Sequence, residues 1–249
     1  MPDAETLEQI YGNSSNYAQY LQCNGEGEKL DYENGPVVRW LKSLSRGTFL
    51  DYGCGHGNLL LEAVKLGWKS IGVEYNQEFA DLLRNIRGVE IFTADNVSNL
   101  EYSVDVLCLG DVLEHLTDIN TQFQGILRLL KPNGILLAQG PLDANFNLFF
   151  LILKWARTFY KGKNNEIQPQ HVIMATRKGQ MALFERFGLI RQEFTIYEEW
   201  HPAPSEICGR QFLQPRTLGM YSLRKLSRAI SSLRTNEWGN RYFYAGIKS

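Results

Sequence analysis

The sequence has few cysteines and none of the spacings used by structural metal sites or disulfide frameworks. Its 249 residues contain four cysteines, scattered without a Cys-x-x-Cys pair. This excludes a zinc-ribbon type of site and a fold built on disulfides. Internal repeats and low-complexity segments are also lacking, and the acidic first residues contain no apolar run typical of a secretory signal peptide. A reducing, cytoplasmic location is therefore expected.

Long hydrophobic runs are lacking as well. The densely apolar stretch 146–160 contains Lys154 and Arg157 and is too short for a bilayer span, which needs about 20 apolar residues. It could be an interfacial helix, a substrate lid, or a helix packed on the sheet or in a dimer. The hydrophobic content of 44% and charged content of 21% are those of an ordinary globular protein, so we expect one domain with additions.

The net charge of −1 conceals an uneven distribution of charge along the chain. Residues 151–249 contain 16 basic and 7 acidic side chains, whereas residues 1–150 contain 10 and 20. Such a separation indicates that one part faces an anionic partner, or that the two halves attract each other.

A glycine-rich turn occupies residues 49–60, between a short apolar run and a helix-compatible pattern. Gly53, Gly55 and Gly57 alternate through it, and Asp51 lies two positions upstream of the first glycine. Glycines allow left-handed backbone and let a ligand approach the chain closely. The spacing differs from the Gly-x-Gly-x-x-Gly of dinucleotide sites, and a carboxylate at position 51 would suit a cationic ligand better than a pyrophosphate.

Alternating apolar segments after this turn predict a parallel α/β sheet. A second strand ends on Glu74, 19 positions beyond Gly55, where nucleotide-binding folds place the carboxylate that holds ribose hydroxyls. The almost uninterrupted apolar run 104–110 predicts a central strand covered on both faces. We also expect strands at 89–92, 135–139, 189–199 and 241–248, and helices at 36–44, 59–66, 77–87, 119–130, 146–160, 177–187 and 218–233.

These motifs resemble those of the class I S-adenosylmethionine-dependent methyltransferases. The glycine turn with Asp51 is similar to their first motif, and the successions Val-Leu-Glu-His-Leu and Leu-Leu-Lys-Pro-Asn-Gly are similar to their fourth and fifth strand region. The likeness extends over about residues 49–140. A Pro-x-His, Thr and Phe-Gly succession further resembles a small-molecule branch that acts on quinone precursors, sugars and other metabolites.

The resemblance implies a Rossmann-like, doubly wound sheet of seven strands, with the last strand antiparallel and with helical cap insertions. It implies S-adenosyl-L-methionine as cofactor, with an acidic residue after the third strand binding the adenine amino group. The expected cofactor-binding residues are Asp51, Gly53, Cys54, Gly55, Glu74, Tyr75, Asp95, Asn96, Gly110 and Asp111.

We expect a single methyltransferase domain over 1–249, with a helical arm at 1–47 and a cofactor-binding core at 48–141. Segments 142–175 and 200–240 would then form a cap with an apolar inner side and a basic outer side. Cys54 and Cys108 are expected to pack as small apolar residues.

The candidate catalytic residues are His115 and His171, because a hydroxyl nucleophile benefits from a general base. Each histidine could equally have a local structural role, and Glu114 could orient one of them. The sequence shows no clustered carboxylates that would predict a metal site.

The predicted reaction is O-methylation of a metabolite, sugar or lipid-linked phenol. C- or N-methylation and a non-catalytic binding role are the alternatives. The acceptor would be a small molecule, anionic or lipid-linked. Nucleic acid is not expected, because an Asn-Pro-Pro-Tyr-like motif is missing after the fourth strand. Peripheral membrane contact through 146–163 and a homodimer are further possibilities.

Overall fold

The computed structural model describes residues 32–84, 88–94, 96–148, 151–152, 171–199, 215–233 and 236–249. Its strands are β1 (Thr48–Tyr52), β2 (Lys69–Glu74), β3 (Val89–Thr93), β4 (Val104–Gly110), β5 (Leu130–Pro141), β6 (Leu189–Tyr197) and β7 (Arg241–Lys248). Its α-helices are α1 (Pro36–Ser43), α2 (Asn58–Lys65), α3 (Gln77–Leu83), α4 (Ile119–Arg128), α5 (Arg177–Arg186) and α6 (Pro215–Leu233). Short 3-10 turns lie at Tyr32–Asn34, Val97–Leu100 and Leu113–His115.

The strands form one sheet in the order β3-β2-β1-β4-β5-β7-β6. Neighbours from β3 to β5 pair in parallel, so their carboxyl ends open at one edge of the sheet. Strand β7 is antiparallel to both β5 and β6. This confirms the predicted seven-stranded, doubly wound sheet with an antiparallel last strand.

Helices cover both faces of the sheet because its central strands are apolar on both sides. Phe49 and Leu50 are consecutive in β1 and fully buried, yet they belong to different core clusters, one on each face. In the Leu50 cluster, Phe184 of α5 stacks on Tyr244 of β7 with ring centroids 3.9 Å apart. This contact fixes α5 against the antiparallel half of the sheet.

The predicted end of the helix at 119–130 was wrong, and residues 131–134 do not form the predicted turn between the helix and the next strand. Helix α4 ends at Arg128, and β5 already begins at Leu130, which pairs with Val104 of β4. The fully buried Leu130 side chain and an ion pair from Lys131 to Asp105 (2.7 Å) draw this segment onto the sheet. Two features of the predicted turn are present: Asn133 has a left-handed backbone conformation, and the strand register beside it is irregular.

The helix start at Thr176 and its end before Gly188 are confirmed. The Thr176 hydroxyl accepts a hydrogen bond from the Gly179 amide (3.1 Å), as an N-cap does. Gly188 has a φ of +73°, which is the left-handed conformation that commonly ends a helix.

Several predictions fall wholly or partly outside the described residues. They concern the arm over 1–31, most of the helix at 146–160, and the cap segments 153–170 and 200–214. The domain boundaries, the cap and the cytoplasmic location therefore stay predictions. Among the described helices, none is both long enough and apolar enough to cross a membrane.

The centre of β2 has no room for a side chain at Gly72. A Cβ there would lie 2.7 Å from terminal carbons of Ile91 and Leu60 and 2.9 Å from the Cys54 sulfur. Overpacking of this kind costs about 1–3 kcal/mol, so we expect Gly72→Ala to lower the free energy of unfolding by that amount in urea denaturation. The matched control is Gly125→Ala in α4, where a Cβ meets nothing within 4 Å. It should stabilise by about 0.5–1 kcal/mol, and equal effects of the two changes would contradict this account of the packing.

Candidate active site

The glycine turn joins β1 to α2 at the carboxyl edge of the sheet. Gly53, Gly55 and Gly57 have φ angles of +78°, +49° and +71°, so all three use the left-handed conformation. The amides of Gly53 and Cys54 both donate to the Val73 carbonyl (2.8 and 3.0 Å), which ties the turn to β2. A Cβ at Gly55 would meet nothing within 4 Å. The backbone of Gly55 therefore borders open space, as a ligand cradle requires.

Glu74 connects this turn to the end of β2. The residue is only 2% exposed, and its carboxylate accepts hydrogen bonds from the amides of Gly55 (3.0 Å) and Asn76 (3.1 Å). The two amides come from two different connections, so they fix the carboxylate in one orientation. A carboxylate held this way suits bidentate binding to the hydroxyls of a ribose.

Asp51 lies buried beside Glu74. It is 5% exposed and faces Gly72 and Cys108 in the neighbouring strands. Burial and, to a smaller extent, the Glu74 carboxylate raise the pKa of Asp51 to about 7, against a hydrogen bond with the Cys108 thiol. Two buried carboxylates repel each other, so a cation placed between them or above them would be stabilised.

The prediction that the two cysteines near these carboxylates pack as small apolar residues is confirmed. Cys54 and Cys108 are buried and unpaired. Burial raises the pKa of both thiols well above the ordinary value, and Asp51 acts in the same direction. Both therefore stay neutral at physiological pH.

The other predicted cofactor residues lie along the same edge, with one exception. Asn96 lies three positions beyond the end of β3, and its amide donates to the Thr93 carbonyl (3.0 Å). Tyr75 follows Glu74 and is 61% exposed. Gly110 ends β4. Asp95 lies outside the described residues.

Asp111 takes part in an ion cluster that sequence reasoning missed. Its carboxylate accepts a hydrogen bond from Arg241 at the start of β7 (2.8 Å), and the same guanidinium lies 2.6 Å from Glu199. Burial alone would lower the pKa of Arg241, but the Asp111 and Glu199 carboxylates outweigh it and raise the pKa. Asp111 also has a left-handed φ of +54°. Its predicted contact with the cofactor stays a prediction.

The two candidate catalytic histidines lie together although 56 positions separate them. The Glu114 carbonyl accepts hydrogen bonds from the amides of Val172 (2.8 Å) and Ile173 (3.0 Å), which brings the chain after His171 against the connection that follows β4. The rings of His115 and His171 are 5.2 Å apart and nearly perpendicular. Both are partly exposed.

His171 is paired with Asp143, a residue that sequence reasoning did not single out. The Nδ1 atom of His171 lies 2.6 Å from an Asp143 carboxylate oxygen. This hydrogen bond raises the pKa of His171, and partial burial opposes the shift. Asp143 stands just beyond β5, so no pattern in the sequence shows that it meets His171.

Glu114, the residue before His115, is 5% exposed. Burial raises its pKa to about 8; Asp111 adds to the shift, while His171 and Arg241 oppose it. One of its carboxylate oxygens has no hydrogen-bond partner in the structure. Ligand atoms of Glu114, His115 and His171 lie within 4.8 Å of one another. A metal ion could be held here, which the sequence analysis did not predict.

The comparison with known proteins decides the family. A family model described as a methyltransferase domain matches residues 29–191, well over half of the chain. The chain belongs to this methyltransferase family. It is an S-adenosylmethionine-dependent enzyme, as its relatives and structural neighbours also indicate.

The curated relatives of the methyltransferase are distant. It is 24% identical to a ubiquinone biosynthesis O-methyltransferase of Bradyrhizobium diazoefficiens, over 66% of this chain and 68% of that protein. It is 23% identical to the Rhodopseudomonas palustris enzyme of the same name, over 60% and 64%.

Solved structures show the same fold. An S-adenosylmethionine-dependent methyltransferase from Thermotoga maritima has a TM-score of 0.58 at 20% identity, covering 97% of this chain and 100% of that one. Phosphoethanolamine N-methyltransferase 2 of Haemonchus contortus, in complex with S-adenosylhomocysteine, has a TM-score of 0.61 at 15% identity, covering 97% and 59%.

The residues of the methyltransferase fit this cofactor. S-adenosylmethionine carries an ammonium and a sulfonium but no phosphate, which matches the buried carboxylates Asp51 and Glu74. The open space beside Gly55 matches a ligand that lies on the backbone of the turn. A pyrophosphate would meet the two carboxylates unfavourably.

We expect cofactor affinity to rise with pH because Asp51 must be ionised to stabilise a cation. Its pKa of about 7 places the change between pH 6 and 8. Calorimetric titration of the wild-type enzyme with S-adenosylhomocysteine, whose ammonium is charged throughout this range, should give a Kd about tenfold weaker at pH 6 than at pH 8. Asp51→Asn should bind weakly at both pH values. The exposed Glu101→Gln is the control and should keep the wild-type profile; a pH-independent wild-type Kd would contradict the assignment.

Proposed function

We propose that the enzyme methylates a hydroxyl oxygen of a small-molecule acceptor. The observation that carries this proposal is the Asp143–His171 pair, which lies beyond β5 at the edge where the glycine turn ends β1. Hydroxyls have high pKa values, so a positioned base assists their attack. The distant curated relatives are named as O-methyltransferases, which supports an oxygen acceptor.

When bound, the cofactor supplies a methyl group activated by its sulfonium. The residues of this chain would hold and align it: Glu74 would bind the ribose hydroxyls, Asp51 would stabilise the positive charge, and Asn96 would contact the adenine ring. Asp95 would accept a hydrogen bond from the adenine amino group. Alignment of the acceptor oxygen with the methyl group accounts for much of the expected rate enhancement.

His171 is the proposed general base. In the neutral imidazole, Nδ1–H donates a hydrogen bond to the Asp143 carboxylate, which leaves the lone pair on Nε2. The Nε2 atom would take the proton of the acceptor hydroxyl as the oxygen attacks. The imidazolium that forms is then stabilised by the Asp143 carboxylate, at 2.6 Å from Nδ1. His115, whose ring lies against that of His171, would limit the ring orientations open to it.

The charges of the described acceptor edge favour a neutral acceptor group over an anionic one. Three carboxylates, Asp111, Asp143 and Glu199, lie here against the Arg241 guanidinium. Glu114 adds little charge at neutral pH, because burial raises its pKa to about 8. Ten basic residues suggested an anionic or lipid-linked acceptor, and six of them lie outside the described residues: Lys154, Arg157, Lys161, Lys163, Arg210 and Arg234. A lipid tail on a neutral phenol is compatible with this edge, and a homodimer stays a prediction.

The acceptor atom can be tested directly. We expect incubation of a cell extract with the enzyme and isotopically methyl-labelled cofactor to yield a product whose label is in a methyl ether, identified by mass spectrometry. An extract incubated with Asp51→Asn provides the matched background. A label found on nitrogen or carbon would replace the proposal with N- or C-methylation.

Changes to the histidine pair should separate proton transfer from positioning. With the acceptor so identified, we expect His171→Ala to lower kcat about 10²- to 10⁴-fold and His115→Ala to have a smaller effect. The rate should rise with pH as His171 loses its proton. Because Asp143 raises the pKa of His171, Asp143→Asn should move this rise to lower pH in the kcat/KM profile.

The exposed Asp81→Asn on α3 is the control and should keep the wild-type profile. An Asp143→Asn profile that coincides with the wild-type one would remove His171 as the base. The assay is repeated with EDTA. A loss of activity that Mg²⁺ restores would assign Glu114, His115 and His171 to a metal ion instead.

A further inference from the structure

Helix α6 turns polar side chains toward the protein. Ser227 is fully buried and Ser231 is 7% exposed. Both hydroxyls donate to the carboxylate of Glu198, which follows β6 and is itself buried; the Ser227 oxygen lies 2.5 Å away. The helix is therefore held to the sheet by hydrogen bonds to one carboxylate.

The opposite side of α6 exposes three leucines. Leu218, Leu226 and Leu233 are 48%, 54% and 84% exposed. At 100° per residue these positions fall within one quarter of the helix circumference. We call them the leucine stripe. A surface helix ordinarily buries its leucines, whereas α6 exposes these three, together with Ser222 on the same side.

The charge of α6 indicates what would cover the stripe. The helix contains Arg216, Arg224, Lys225 and Arg228 and no acidic residue. Lys225 and Arg228 are exposed, and both lie on the same flank of the stripe. The partner surface must therefore be apolar at its centre and anionic around it.

Two possible partners within the protein itself do not meet this requirement. A second copy docked through the same helix would bring two sets of cations together. The apolar segment 146–160 of this chain is itself basic, since it contains Lys154 and Arg157 and no acidic residue. Like charges brought together across either contact would weaken it.

We propose that α6 docks on an anionic lipid surface. The leucine stripe enters the boundary between headgroups and acyl chains, and Lys225 and Arg228 lie among the anionic headgroups. This surface differs from the predicted contact through 146–163. The proposal is independent of the chemistry of the acceptor.

Vesicle sedimentation tests the docking. The full-length protein should sediment at low salt with vesicles of phosphatidylcholine and phosphatidylglycerol, and much less with phosphatidylcholine alone. Salt should weaken the binding, because surface charges are screened. The double variant Lys225→Glu/Arg228→Glu should lose about tenfold or more in partition coefficient.

Leu226→Ser/Leu233→Ser should lose binding to a similar degree while keeping its helical content and its affinity for S-adenosylhomocysteine. The matched control is Met174→Ser, which removes another exposed apolar side chain, 62% exposed, away from the helix. Its vesicle binding should equal that of the wild type.

Three outcomes would overturn the proposal. The protein could remain in the supernatant with anionic vesicles at low salt. The leucine variants could sediment as the wild type does. In size-exclusion chromatography without lipid, the wild type could be a dimer that the leucine variants abolish, which would make a second copy the partner of α6.

Discussion

Two buried carboxylates, Asp51 and Glu74, are the constraint on which the site depends. Folding places them side by side at the ends of adjacent strands, where they repel each other and burial disfavours their charge. Glu74 offsets part of this cost by holding two backbone amides, and those same hydrogen bonds fix the glycine turn. The structure therefore keeps an unfavourable pair of carboxylates at the edge where we expect the cationic cofactor, whose binding would supply the opposite charge.

The sequence was sufficient for the parts of the site that lie close together along the chain. Asp51, Gly53, Gly55 and Glu74 all end strands or begin turns, and parallel pairing forces such positions to one edge. Arg241, Asp143 and the approach of His171 to His115 could not be predicted in this way. They depend on how the chain returns to the sheet after β5, and single residues far apart carry no periodic signal.

The orientation of helix α6 could not be predicted from the sequence either. Its leucines predicted a helix correctly, because their spacing fixes which residues share a side. The spacing does not fix which side faces the protein. That choice follows from Glu198, whose buried carboxylate must be satisfied and accepts hydrogen bonds from Ser227 and Ser231. An unsatisfied acceptor in the core would cost about 1–3 kcal/mol.

The position of β7 has a consequence for how the molecule assembles. Strand β6 pairs with β7, and β7 lies between β6 and β5 although it comes later in the chain. Until β7 has been synthesised, the edges of β5 and β6 that pair with it carry unpaired backbone groups. Such edges invite pairing with other chains. A nascent chain halted between β6 and β7 would thus be prone to aggregation, and the sheet is complete only once β7 has been inserted between β5 and β6.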